Sequence, residues 1–191
     1  MAIYNTPSDA ANTAVRSFLT KLGEEYYKKP FNTGSGHGRE VWRIIREEEF
    51  GGLCAYCGKI PDKTSIEHLI MFNRAHCGLH HPGNIVPCCN PCNSRPKTDG
   101  KNYNNRETHL DEVVEDTGGS VTDLNARKKK IKAHMTRWDY PKLTSDEMNA
   151  IRAIARSLYD GIKNEVDKSV LLYQELDRTL IQGRGSKADI S

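Results

Sequence analysis

The chain has 191 residues, with 28 Lys and Arg against 25 Asp and Glu and a hydrophobic share of 37%. No run approaches the roughly 18–20 apolar residues of a membrane span, so no membrane partner is expected. The net charge of +3 is too small to mark a nucleic-acid binder by itself, and the length suits one medium domain or a core with helical additions.

Residues 8–29 read as a helix, with Ser8 or Asp9 as cap and Val15, Phe18, Leu19, Leu22 and Tyr26 on one face. The start lacks a charged-then-apolar export signal, so a cytoplasmic location is expected. Pro30 and "NTGSGHG" break the chain. Those glycines lack the spacing of a nucleotide-binding loop and read as a flexible linker. "REVWRIIREEEF" resumes a helical pattern up to Gly51-Gly52. Residues 52–100 hold the cysteines and admit only short elements: a strand at "SIEHLI", a second at "NIVP", and a short helix at "NPCNSR". In that helix Asn90 is the cap, Pro91 the first helical position and Pro96 the stop. "KNYNNRETHLDEVVEDTGGS" reads as a polar connection, and a helix follows over about 122–138. After Pro141, Thr144 and Glu147 form a capping box. A long helix then carries Met148, Ile151, Ala155, Leu158, Ile162, Val166, Val170, Tyr173, Leu176 and Leu180 as one stripe, read as a core face. Part of it is long enough to pair with a second copy, so a homodimer is considered. The tail from 183 to 191 is expected to be disordered. The chain thus divides into a helical region at 1–51, a cysteine-rich core at 52–100, a connection and helices at 101–182, and the tail.

All six cysteines fall between Cys54 and Cys92. Cys54-x-x-Cys57 and Cys89-x-x-Cys92 have the separation at which one tight turn offers two thiolates to one ion. Two such turns give four soft ligands, a set that selects zinc and leaves no open position for substrate. The ion is therefore structural, and the chemistry must lie between the two pairs. Cys88 is a competing ligand beside Cys89. Cys77 with His76, His80 and His81 suggests a second site, but no complete ligand set is evident.

Between the pairs stand Glu67 and His68 in the first strand, Asn84 at the second, and Asn93 directly behind the last cysteine. A regular strand sends neighbours to opposite faces, so joint action of Glu67 and His68 requires the strand to end or twist there. The pattern C-x-x-C, then E-H, then N-x-x-x-x-C-x-x-C-N resembles the HNH nucleases over about residues 52–98. The resemblance implies an α+β fold with a small ββα-metal core stapled by the four-cysteine zinc and flanked by helices. It implies hydrolysis of DNA phosphodiesters, with His68 as general base, Glu67 and Asn93 as ligands of one catalytic Mg²⁺ or Mn²⁺, and Asn84 holding the loop. Glu67 stands where many members carry Asp, and Pro96 interrupts the basic stretch that often follows the last asparagine.

These residue types suit the reaction on their own account. A neutral imidazole with a pKa near 6.5 takes a proton from water, so activity should rise through about pH 6–7. A carboxylate and an amide oxygen are hard ligands for a divalent ion. DNA contacts are expected from Arg127, Lys128, Lys129, Lys130, Lys132 and Arg137, and from a looser set of Arg95, Lys97, Lys101 and Arg106. The bland reading of the first run is a solvated helix face. A role in defence such as restriction is the expected context. The competing readings are a non-catalytic zinc-knuckle module that binds nucleic acid, and a nuclease acting on RNA or as a toxin.

Overall fold

The computed structural model describes residues 6–98 and 102–182. Helix α1 spans Pro7–Tyr27, and its cap is Thr6 rather than Ser8 or Asp9. The Thr6 side chain accepts from the Asp9 amide while Asp9 reaches back to the Thr6 amide, and Pro7 occupies the first turn, where no intrahelical N–H is needed. Lys28 ends α1 in the left-handed conformation, at φ 61°. Helix α2 spans Gly36–Arg43 and widens without a break into a π-wound turn, Ile44–Glu49. Two antiparallel strands follow, β1 (Thr64–His68) and β2 (Ile85–Cys89), with Thr64 opposite Cys89 and His68 opposite Ile85. A short pair, β3 (Lys97–Thr98) and β4 (Asn102–Tyr103), leads into three helices: α3 (Arg106–Asp116), α4 (Val121–Arg137) and α5 (Ser145–Leu176).

Two expectations fail here. The "NPCNSR" segment is a single turn and not a helix: the Asn93 amide donates to Cys89 O at 3.0 Å, and the chain leaves the turn by Ser94. The polar connection contains α3, capped by Asn105, whose side chain accepts from the Thr108 amide. Its buried face is His109, Leu110, Val113 and Val114. The Thr144–Glu147 capping box opens α5 as expected.

The apolar interior has two parts. One gathers Phe31, Val41, Ile45, Phe50, Tyr56, Leu69, Ile85, Val86, Leu110 and Ile131 around β1, β2 and the cysteine loops. The other lies between α1 and α5, where Val15 and Leu19 meet Ile151 and Ala155 over Cys77 and Leu79. The stripe on α5 is buried only in this first half; from Val166 onward its residues are exposed, so it is a core face over half its length. The tail expectation lies outside the described residues. Among the described residues no helix is long and apolar enough to cross a membrane.

One glycine bears on the site. Gly23 sits inside α1, where glycine costs about 1 kcal/mol of helix propensity. A Cβ there would come within 2.3 Å of the His80 carbonyl oxygen. Only glycine lets the helix press against the loop that carries His80.

Candidate metal centre and the histidine site beside it

The cysteine cluster forms because two tight turns meet at β2: the Ala55 amide of the first donates to Pro87 O at 2.8 Å, and the second follows directly on Cys89 at the strand's end. In the first, Gly58 N donates to Cys54 O at 2.9 Å and Gly58 takes φ 71°, which returns Cys57 beside Cys54. In the second, the turn at Asn90–Asn93 brings Cys92 back beside Cys89. The sulfurs of Cys54, Cys57, Cys89 and Cys92 all lie within 4.8 Å of one another. A tetrahedral ion with zinc–sulfur bonds of about 2.3 Å holds its sulfurs about 3.8 Å apart, and Cys57 Sγ lies 3.8 Å from Cys89 Sγ. The four residues therefore fit a single metal ion. Cys88 is not in the set. Strand alternation turns it into the core, fully buried, although its sulfur is 3.8 Å from that of Cys54.

The suspected second metal site does not assemble. His76 is held by Asn73, the Cys77 thiol donates to Arg74 O, and the His81 ring accepts from the Gly83 amide. Among the described residues the four-cysteine set is the only group of three or more such side chains close enough to share an ion.

From the second turn the chain folds back along β1. Ser65 donates to Asn90 Oδ1 at 2.7 Å, Asn93 Nδ2 reaches Ile66 O at 3.5 Å, and Arg95 Nη2 donates to His68 O at 2.9 Å. The contacts advance in step along both segments. The non-helical Asn90–Arg95 stretch is thus a third strip beside β1, running towards His68.

Glu67 and His68 leave β1 on opposite sides. Glu67 is buried, and its Oε1 lies 2.5 Å from Arg95 Nη2 and 3.5 Å from Tyr56 Oη. The same Arg95 nitrogen also reaches Tyr56 Oη and Leu69 O. Burial pushes the Glu67 carboxyl up, against the pull of Arg95. His68 stacks on Phe72 at a ring separation of 4.6 Å, and its Nε2 lies 3.0 Å from His80 Nδ1. One ring of this pair donates and the other accepts. Burial, with smaller contributions from His80 and Arg95, holds His68 down to about 3. The imidazole is therefore neutral at working pH, and the expected rise in activity through pH 6–7 does not follow from it.

Asn84 is fully buried and braces the loop after His68 with three hydrogen bonds. It accepts from the Ile70 amide at 2.8 Å and donates to Ile70 O at 3.0 Å and Leu79 O at 2.8 Å. The structure thus gathers His68 and Asn84 around one loop and sets Asn93 against the middle of β1. Among the described residues no hydrogen bond joins Glu67 to His68's ring or to Asn93. His80, which meets His68, carried no role in the nuclease pattern; its only sequence signal is the density of histidines at 76–81.

The cations divide. Arg95 is 8% exposed and spent on Glu67, so it is no outward DNA contact. Arg127 is half-buried and donates to Cys57 O at 3.0 Å, which ties it to the metal loop. Lys128 pairs with Asp111 at 2.5 Å, and Arg106 pairs with Glu107 and packs on Met135. Arg137 lies 3.8 Å from Glu49. Lys97, Lys129, Lys130 and Lys132 stay exposed, with Lys130 over the Phe50 ring. Lys101 lies outside the described residues. No family model matches the chain, nor does any curated protein or solved structure.

Proposed function

We propose that this chain is a divalent-metal-dependent endonuclease of the HNH kind that hydrolyses DNA phosphodiester bonds, its ββα-metal core stapled by a structural zinc on Cys54, Cys57, Cys89 and Cys92. The observation that carries this reading is the return of Asn90–Arg95 along β1, which lays a third strip beside the strand that ends in His68. That strip is the counterpart of the α element, shortened to a turn. His68 is the general base: neutral, oriented by His80 and stacked on Phe72, it accepts the proton of the attacking water. Asn84 keeps the loop after His68 in place. A bound Mg²⁺ or Mn²⁺ supplies charge neutralisation at the phosphate. Asn93 and Glu67 would be its protein ligands, and for that role Glu67 would have to release Arg95 and turn from its own side of β1 to that of His68. Lys129, Lys130 and Lys132 lie exposed on α4 and supply phosphate contacts. Restriction or another defence against foreign DNA is the context we favour.

One observation favours a second reading, a zinc-stapled nucleic-acid-binding module without catalysis. The buried Glu67–Arg95 pair gives the carboxylate a structural use. Plasmid incubated with the zinc-loaded protein and Mg²⁺ or Mn²⁺ separates the two. The nuclease reading expects cutting that EDTA stops, and a loss of about 10²–10⁴ in rate for His68→Ala. Absence of cutting with every divalent ion, alongside intact DNA binding, leaves the binding module standing.

A further inference from the structure

The outer half of α5 carries a seam of apolar side chains that the fold leaves uncovered. Helix α1 lies antiparallel to α5: Tyr26 near its end donates to Glu147 near the start of α5, while Thr6 and Pro7 share a recess with Val166. Beyond Val166, α5 has passed the start of α1. There Val170 is 52% exposed, Leu172 61%, Tyr173 64% and Leu176 47%.

Their order is that of a coiled-coil seam. Val166, Ser169, Tyr173 and Leu176 follow at steps of three, four and three, with Val170 and Leu172 flanking them on either side. Two ion pairs form on the outward faces of the helix, Lys168 with Glu165 and Arg178 with Glu175. We propose that this seam binds the same seam of a second copy, antiparallel, about a two-fold axis at Leu171.

The register follows from the sequence. In an antiparallel pair each first-position residue packs against a fourth-position residue of the other helix. Centring on Leu171 sets Val166 against Leu176 and Ser169 against Tyr173, each pair occurring twice. Across the axis Val170 meets Val170 and Leu172 meets Leu172. Lys163 of one copy comes beside Asp177 of the other, and Glu165 falls opposite Thr179, so no like charges meet. A parallel pair lacks this fit, because Lys163 would face Leu158 and Asp177 would face Leu172, leaving each charge against an apolar neighbour. It would also crowd both α1–α5 bodies at one end. The contact between Val166 and Leu176 is about three helical turns, smaller than the roughly 800 Å² per partner of a standard interface. The dimer is accordingly weak, populated on the order of tens of micromolar and lost on dilution.

Sedimentation of the full zinc-loaded chain over a roughly hundredfold concentration range tests this, since self-association follows mass action. The expected result is a monomer–dimer equilibrium. Leu172→Glu places two like charges on the axis and yields monomer, whereas Leu171→Glu, on the outer face, leaves the mass unchanged. Lys163→Glu weakens the dimer and Lys163→Glu with Asp177→Lys restores it. Leu171 and Leu172 are exposed and Lys163 and Asp177 half-buried, and circular dichroism with zinc content checks that each variant is folded. A parent chain that stays monomeric throughout overturns the proposal, as does equal damage from Leu171→Glu and Leu172→Glu. Dimers that appear only after removal of residues 1–5 would also overturn it, by making the chain's own start the occupant. The readout is mass, so it stands apart from any outcome of the cleavage assay.

Discussion

Arg95→Ala is the sharpest single perturbation of the site. One Arg95 nitrogen serves Glu67, Tyr56 and the carbonyls of His68 and Leu69, with the Arg95 side chain 3% exposed and that of Glu67 7% exposed. Removing the guanidinium leaves a carboxylate in a dry setting and two carbonyls at the strand end without their donor. Breaking a buried pair from one side typically costs about 3–5 kcal/mol. For a chain of this length each kcal/mol is about 2–4 °C, so the midpoint should fall by roughly 10 °C. Burial already pushes the Glu67 carboxyl up, and without Arg95 it should take a proton nearer neutrality. Urea unfolding followed by tryptophan fluorescence measures the loss. Arg95→Met combined with Glu67→Gln should recover much of it, because a neutral pair carries no buried charge. A loss within about 1 kcal/mol for Arg95→Ala would refute the reasoning, as would a double variant no better than the single. The stable double variant also separates the two uses of Glu67: under the nuclease reading it folds, binds DNA and does not cut.

Elemental analysis should find about one tightly held zinc per chain, lost in Cys57→Ser and Cys92→Ser but kept in Cys88→Ser, whose sulfur lies outside the set. Burial holds His81 down to about 4, while the unfolded chain titrates near 6.5, so the unfolded state binds protons that the folded state refuses. Stability should be level above about pH 6.5 and fall as the pH drops towards 4, by about 2 kcal/mol at pH 5 from this ring alone. His81→Asn, which can cap Gly83 without titrating, should remove this ring's share of the slope in urea unfolding at pH 7 and pH 5, leaving the share that His68, held down to about 3, also contributes; an unchanged slope would assign the acid loss elsewhere. Lys129→Glu with Lys132→Glu should weaken DNA binding and shallow its salt dependence, while Lys128→Glu, already paired with Asp111, should do less. Unchanged affinity at two salt concentrations would return α4 to a plain solvated face.

What the sequence made legible was local. The four-cysteine set could be read because each pair's geometry is a matter of two intervening residues. The start of α5 could be read because a capping box spans four positions. Helix α3 was hidden by its acidic residues and the asparagines before it, although Leu110, Val113 and Val114 already mark one face. The cap of α1 was placed two or three positions late, because Ser8 and Asp9 are themselves good capping residue types and stand nearer the first apolar positions. The Glu67–Arg95 and His68–His80 contacts were not legible at all. They join residues 28 and 12 apart, and depend on how the turn returns along β1 and how closely α1 presses the loop at Gly23. A list of cations likewise says nothing of which ones the fold will consume, as it consumes Arg95 and Arg127.

Arg127 has a consequence for how the metal could be watched. Helix α4 is fastened at two points, at the metal loop by Arg127 on Cys57 O and some 11 residues on by Glu49, which accepts from His134 at 2.9 Å and from the Trp138 indole at 3.0 Å. It is a strut of about 17 Å with the cysteine cluster at one end and a fluorophore at the other. Removal of an ion held by the four cysteines should relax the Cys57 turn, unseat Arg127 and shift the helix against Glu49. Trp138 emission then reports the occupancy of a centre it never touches, with Trp42→Phe removing the other indole from the signal.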